Sequence, residues 1–238
     1  MKMDSRTSLC AVALAAGLAL SAQAPAQQEC GDVFRSGGVG PFDYRDGRHR
    51  KILRTVEKHH YQRNGVARLA IRGASDLEYS KWKGKSANIG SDLDYTLRAF
   101  PNHHHALYAM AMFQMKRGTG PQYKTAECYF ERASKFVPDD PSVMHVRGIY
   151  YHRRDNFAKA AEWLDRALEL APNNGELAYN AGLAHLELKH YDRALELAHD
   201  AIRLGYTLSG LKRRLESAGA WQDPAPVAVA AEQSGTAP

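Results

Sequence analysis

A pattern repeats every 34 residues in the second half of this chain, and no other feature restricts its fold so strongly. Tyr123, Phe157 and Tyr191 mark the interval, Ala126, Ala160 and Ala194 keep it, and so do Ala133, Ala167 and Ala201. Pro138 and Pro172 close the first two copies at the same spacing. A period of this length, with small residues in fixed columns, describes a pair of helices that cannot bury its apolar face alone. Copies must therefore stack, so the expected class is all-α, a helical solenoid.

The middle copy, 141–174, is the clearest. It reads Met144-x-x-Arg147-Gly148-x-x-Tyr151, then Ala160-x-x-x-Leu164, then Ala167 and Pro172. This resembles the tetratricopeptide repeat, whose pattern is W-x-x-L-G-x-x-Y, A-x-x-x-F and P. Gly148 and Ala160 are small so that the two helices of one repeat can approach closely, while Tyr151, Leu164 and Leu168 fill the space around the contact. Pro172 ends the second helix, and Asn173-Asn174 supplies turn chemistry before the next.

The third copy, 175–208, keeps Gly182, Tyr191, Ala194 and Ala201 but carries Tyr206 where the proline is expected. Gly205, just before it, is suited to a left-handed helix terminator. The first copy spans about 103–140. Its flanking prolines, Pro101 and Pro138, lie 37 residues apart, and the three extra residues fit a turn at 118–121.

Before the repeats, residues 27–102 read as an N-terminal helical cap over the first repeat's apolar face. Helical spacing is expected at 50–61 and 66–71, a polar loop holding Trp82 at 73–90, and a helix opening on the capping-box-like Ser91-Asp92-Leu93-Asp94. After the repeats, 209–221 reads as a capping helix in which Leu211 and Leu215 seal the last repeat. The tail at 222–238, rich in Ala and Pro, is expected to be disordered.

Residues 1–26 read as an export signal. Lys2 and Arg6 give a basic start, residues 9–20 are apolar except for Gly17, and Ala24-Pro25-Ala26 offers a cleavage site that leaves Gln27 first. The apolar stretch is too short for a stable membrane-spanning helix. A periplasmic or secreted protein is expected. The block at 92–107 also resembles one present in a group of bacterial exported repeat proteins.

Export leaves Cys30 and Cys128 of the three cysteines. The repeat register pairs Cys128 with Glu162 and Glu196, which predicts a solvent-facing position. An exposed thiol in an oxidising compartment favours oxidation, so a disulfide between Cys30 and Cys128 is expected.

Little in the sequence points to catalysis. None of the H-E-x-x-H, G-x-S-x-G, P-loop or dinucleotide fingerprints occurs, and an enzyme or a cofactor is not expected. Among the 11 histidines, residues 103–105 form the densest run. Successive helical residues point about 100° apart, so three in a row do not converge on one ion, and capping or solvated roles are expected rather than a metal site. The chain has a formal charge of +6, of which the signal accounts for +1 through Lys2, Arg6 and Asp4. Export argues against nucleic acid as the target of the remaining charge and leaves anionic envelope surfaces as possible contacts.

The resemblance implies a non-enzymatic scaffold that holds a protein or peptide on its concave face, which the first helix of each repeat lines. Projecting the register places His105, Tyr108, Met112 and Met115 there from the first copy. The second contributes His145, Ile149, His152 and Arg153, and the third Tyr179, Asn180, Leu183 and Glu187. Asn180 occupies a position where the family often places an asparagine that bonds an extended peptide backbone. The basic partners of the family's carboxylate clamp are absent from matching positions. The alternatives are an envelope-surface binder acting through a basic face and a histidine-based metal-binding protein.

Overall fold

The chain's structure, a computed structural model, describes residues 30–35, 38–83 and 88–224. The expected export signal at 1–26 and the tail from 225 onward lie outside the described residues. Among those described there are eleven α-helices and no strand. The helices are α1 (Arg50–Val56), α2 (Arg68–Arg72), α3 (Asp76–Lys83), α4 (Ile89–Ala99), α5 (His104–Arg117), α6 (Ala126–Phe136), α7 (Pro141–His152), α8 (Phe157–Leu170), α9 (Gly175–Glu187), α10 (Tyr191–Arg203) and α11 (Gly210–Ser217). Two π-helical turns, Glu57–Tyr61 and Arg63–Ala67, connect α1 to α2. The class is the helical solenoid that the period demands.

Each first helix of a pair starts on a residue that can accept from the orphan N–H groups of the first turn. His103, Asp140 and Asn174 do so for α5, α7 and α9, accepting from Ala106, from Ser142, and from Glu176 and Leu177. The second helices α6, α8 and α10 turn their repeated alanines inward, and Ala133, Ala160, Ala167 and Ala194 are all fully buried.

The turns inside the repeats follow the register as well. In the second and third copies, Asp155 and Lys189 stand 34 residues apart and adopt the same left-handed conformation, with φ of 56° and 61°. The next residue closes both turns in the same way, Asn156 N–H donating to Tyr151 C=O and His190 N–H to His185 C=O. The matching position in the first copy is Pro121, whose ring holds φ near −65° and forbids that turn. A longer connection replaces it. Gly118 ends α5 at a φ of 76°, and the Gln114 side chain bridges the loop, accepting from Ala126 N–H and donating to Lys124 C=O.

The N-terminal region does more than cover one end. In α4, Ile89, Leu93 and Thr96, with Pro101 beyond its end, precede Ala126, Phe130, Ala133 and Pro138 by the same 37 residues. Ile89, Leu93 and Thr96 are fully buried. α4 and α2 both pack on α5, and α2 also touches α4, which is how a preceding helix pair would sit. Two expectations here need correcting. Residues 76–83 form α3 and not a loop, because the Tyr79 ring is fully buried and its hydroxyl donates to Asp92 at 2.5 Å. α4 begins at Ile89, two residues before Ser91, because Asn88 and not Ser91 caps it, accepting from Ser91 N–H.

Residues 30–35 form a strap over α6, with Cys30 and Cys128 joined in a disulfide. Arg132, also buried, donates from Nη1 to the carbonyls of Cys30, Gly31 and Asp32 at 3.0–3.3 Å. The expected solvent-facing position of Cys128 is corrected: it is 2 % exposed. Glu162 and Glu196, its register equivalents, are exposed, so the repeat does place this column outward. The strap then covers it in the first copy alone.

Candidate functional site

The inner face is built by the first helices lying side by side, α2 on α5, α5 on α7, α7 on α9 and α9 on α11. That arrangement decides how much of each predicted residue a partner could reach. α5 has neighbours on both flanks, and Ala106, Leu107 and all of 109–113 are buried in it. Met112 is therefore a core residue and not a groove residue, which corrects the projection. Met115, near the end of the same helix, is exposed. His105 and Tyr108 are half-buried and border an open depression of about 600 Å³, which α2 completes with Arg68, Ile71 and Arg72.

On α7, His145 and on α9, Asn180 are hydrogen-bonded to each other. Asn180 Nδ2 lies 3.0 Å from His145 Nε2 and 3.0 Å from its own helix's Glu176 carbonyl. The carbonyl can only accept, so it fixes the amide nitrogen in that place. His145 Nε2 must then accept as well, which requires the neutral ring with its proton on Nδ1. Burial pushes the imidazole down to a pKa of about 4, in agreement with the neutral form. Asn180, projected as a peptide-binding residue, is here engaged in joining two repeats.

This pair carries a pH prediction. Because the folded pKa is depressed, the folded protein binds fewer protons than the unfolded chain between pH 6.5 and about 4. Stability from this group is complete above pH 6.5, falls as the pH drops through that window, and is constant below it. The ceiling is about 3 kcal/mol, reduced by the part of the ring that solvent reaches. Urea unfolding at pH 7 and pH 4.5 should show a smaller loss for His145→Gln than for the wild type. An equal loss in the two proteins would remove His145 as the cause.

The remaining projected residues divide. Ile149 is half-buried and Arg153 is exposed at the end of α7. The His152 ring packs edge-on against Phe157 at 5.3 Å, its Nε2 is buried without a hydrogen-bond partner among the described residues, and burial lowers its pKa. Tyr179 packs on Tyr206 with ring centroids 5.0 Å apart and touches the cluster of Leu186, Leu211 and Leu215 that seats α11, and Leu183 packs on the same cluster. Glu187 accepts from Arg214 of α11 at 2.7 Å. Much of the projected face in the third copy thus holds the last helix in place.

The histidine run has a structural use. His103 is fully buried, caps α5 through Nδ1 and meets Glu57 through Nε2 at 3.2 Å, with its ring centroid 4.1 Å from Tyr44 and 4.7 Å from Tyr61. Among the described residues, no group of three or more His, Cys, Asp or Glu side chains is arranged to hold a metal ion.

The residues that the register missed are Tyr61, Arg68, Ile71, Arg72 and Lys116, which share the depression with His105 and Tyr108. A signal for them was present. The spacing of Pro101 and Pro138 implies a second helix at 89–99, and a second helix implies a first one before it.

Comparison with known proteins places the likeness in the repeats. The family described as "Anaphase-promoting complex, cyclosome, subunit 3" matches residues 121–201. Fission yeast (Schizosaccharomyces pombe) anaphase-promoting complex subunit 3 is 26% identical over 99 residues, covering 42% of this chain and 14% of that protein. Human protein O-mannosyl-transferase TMTC3 is 31% identical over 111 residues, covering 43% of this chain and 12% of that protein. Xenopus tropicalis BBSome complex member BBS4 is 30% identical over 79 residues, covering 33% and 15%. The aligned part of this chain thus spans about an eighth to a seventh of each relative's length. Among solved structures, a MamA double mutant (MamA RS-1 ArsTM) matches with a TM-score of 0.40 at 20% identity, over 66% of this chain and 85% of that one.

Proposed function

This chain is a tetratricopeptide-repeat protein, and we propose on that premise that it is an exported, non-enzymatic scaffold that binds a protein or peptide partner along its inner face. Repeats of this kind serve as protein-interaction scaffolds, and that coarse function comes with the fold. The observation that supports the finer reading is the unbroken row of first helices, α2, α5, α7, α9 and α11, on which the repeat register projects His105, Tyr108, Met115, Ile149 and Arg153 toward one face. Aromatic, methionine and arginine side chains of this kind favour protein contact, since they offer large adaptable area at modest desolvation cost. Export is supported by the composition of residues 1–26 and by a disulfide that suits an oxidising compartment.

The test is affinity capture from a periplasmic extract with the wild type, with Met115→Ala plus Arg153→Ala, and with Asn180→Ala. Partners held by the wild type should be depleted at least several-fold by the first variant. Asn180→Ala should have a smaller effect, because that side chain already bonds His145. An identical set of partners on all three proteins would sink the assignment of the inner face.

A further inference from the structure

We propose that the depression between α2 and α5 is a binding site for an acidic peptide segment in which carboxylates flank an apolar or aromatic side chain. The inference rests on the reading of the inner face as the binding surface and gives that surface a specific chemistry. Eight residues line the depression: Tyr61, Ala67, Arg68, Ile71, Arg72, His105, Tyr108 and Lys116. Three are permanent cations at neutral pH, and no carboxylate stands among them.

The cations are held in different ways. Arg72 pairs with Glu78 of α3 at the rim, and Lys116 Nζ is drawn over α2 by the Arg72 carbonyl at 3.4 Å. Arg68 is exposed and makes no ion pair among the described residues. A ligand carboxylate reaching Arg68 or Lys116 gains charge-assisted hydrogen bonds without first separating a strong internal pair. Beneath these cations, Ile71, Ala67 and the rings of Tyr61 and Tyr108 supply apolar lining, and a volume of about 600 Å³ falls in the range of ordinary ligand sites.

Shape favours a peptide over the other anionic occupants. The depression is a recess between two helices, and a peptide can lower a side chain into it while its flanking carboxylates meet the rim. A flat anionic membrane meets exposed cations but leaves the recess unfilled. The site also lies outside the residues matched by the family: α2, from the helix pair that precedes the three repeats, supplies one wall and α5, from the first repeat, the other.

The probe is a fluorescein-labelled twelve-residue peptide of alternating Glu and Phe or Leu, compared by anisotropy with its Gln-for-Glu counterpart on the full chain. At low salt the acidic peptide should bind at least ten-fold tighter than the neutral one, and the difference should shrink as salt is raised. Arg68→Ala combined with Lys116→Ala should remove most of that advantage. Both residues are exposed, and circular dichroism will show that the variant remains folded. Arg193→Ala, which removes an exposed cation from α10, should leave the affinity unchanged.

Equal binding of the two peptides, no binding of the acidic one, or full affinity in the Arg68/Lys116 variant each overturns the proposal. Vesicles containing phosphatidylglycerol that bind the wild type and displace the peptide would assign the cations to a membrane surface and overturn it too. Partner capture is a separate readout. If it proves independent of Met115 and Arg153 while the acidic peptide still needs Arg68 and Lys116, the broader groove reading fails and this site stands.

Discussion

Replacing Cys30 and Cys128 together by alanine is expected to lower the unfolding free energy by about 4 kcal/mol, the largest effect of any change considered for this protein. The bond closes a loop of 98 residues in sequence, and the entropy withheld from the unfolded chain grows with the logarithm of that length. The folded side adds to the effect. The strap at 30–35 buries Val33 and Cys128, sets Phe34 against Phe136 with ring centroids 5.9 Å apart, and supplies all three carbonyl acceptors of buried Arg132. Burial lowers the pKa of Arg132, yet a guanidinium stays charged, so loss of the strap would force it to find water instead. Denaturant unfolding with and without reductant measures this directly. Coincident midpoints for the oxidised, reduced and double-alanine proteins would show that the strap contributes nothing beyond local cover.

Leu164→Ala is the second, with an expected cost of about 3 kcal/mol, within the range for emptying a well-packed core site. Leu164 is fully buried against Gly148 of the partner helix. A β-carbon placed on Gly148 would lie 2.5 Å from Leu164 Cγ and 2.9 Å from its Cδ2. Gly148→Ala alone should therefore destabilise by about 1–2 kcal/mol, because the overlap outweighs the gain of about 1 kcal/mol in helix propensity. In the Leu164→Ala background the overlap is gone, and the same substitution should become stabilising by a few tenths to about 1 kcal/mol. This sign reversal is the informative result, since two sites in contact cannot be additive. Additive effects across the four proteins would mean that the small residue in this column serves something other than close helix approach.

Most of the solenoid was legible because its signals are local and repeated. The alanine columns, Gly148, the prolines and the asparagine turn each act within a few residues, and repetition separates them from chance. The left-handed turns at Asp155 and Lys189 follow the same register, and Pro121 explains why the first copy needed a longer connection. The N-terminal helix pair was harder to see. α2 is only five residues long and is preceded by two π-helical turns, so its apolar spacing does not persist for the three or four turns that a periodic signal needs. α3 has a weakly amphipathic sequence and owes its place to one buried tyrosine bonded to Asp92.

The candidate face was legible as a register but not as a surface. A column tells which way a residue leaves its own helix, and it cannot tell what the next helix covers. Met112, projected to the inner face, is enclosed because α5 is flanked on both sides, and Asn180 is occupied because His145 stands opposite it.

The sequence by itself determined that this protein is a stack of helix pairs, how many clear pairs it has, where they turn, and that two cysteines would meet. It could do so because helix periodicity, turn chemistry and small-residue columns are properties of neighbouring residues. Only the tertiary structure decided which side chains a partner can reach. It buried Cys128 under the strap, turned Tyr179 and Leu183 toward the last helix, and brought Arg68 and Arg72 beside Tyr108 and Lys116 across more than thirty residues of chain. Accessibility is set by packing between elements distant in sequence, and no local rule carries that information.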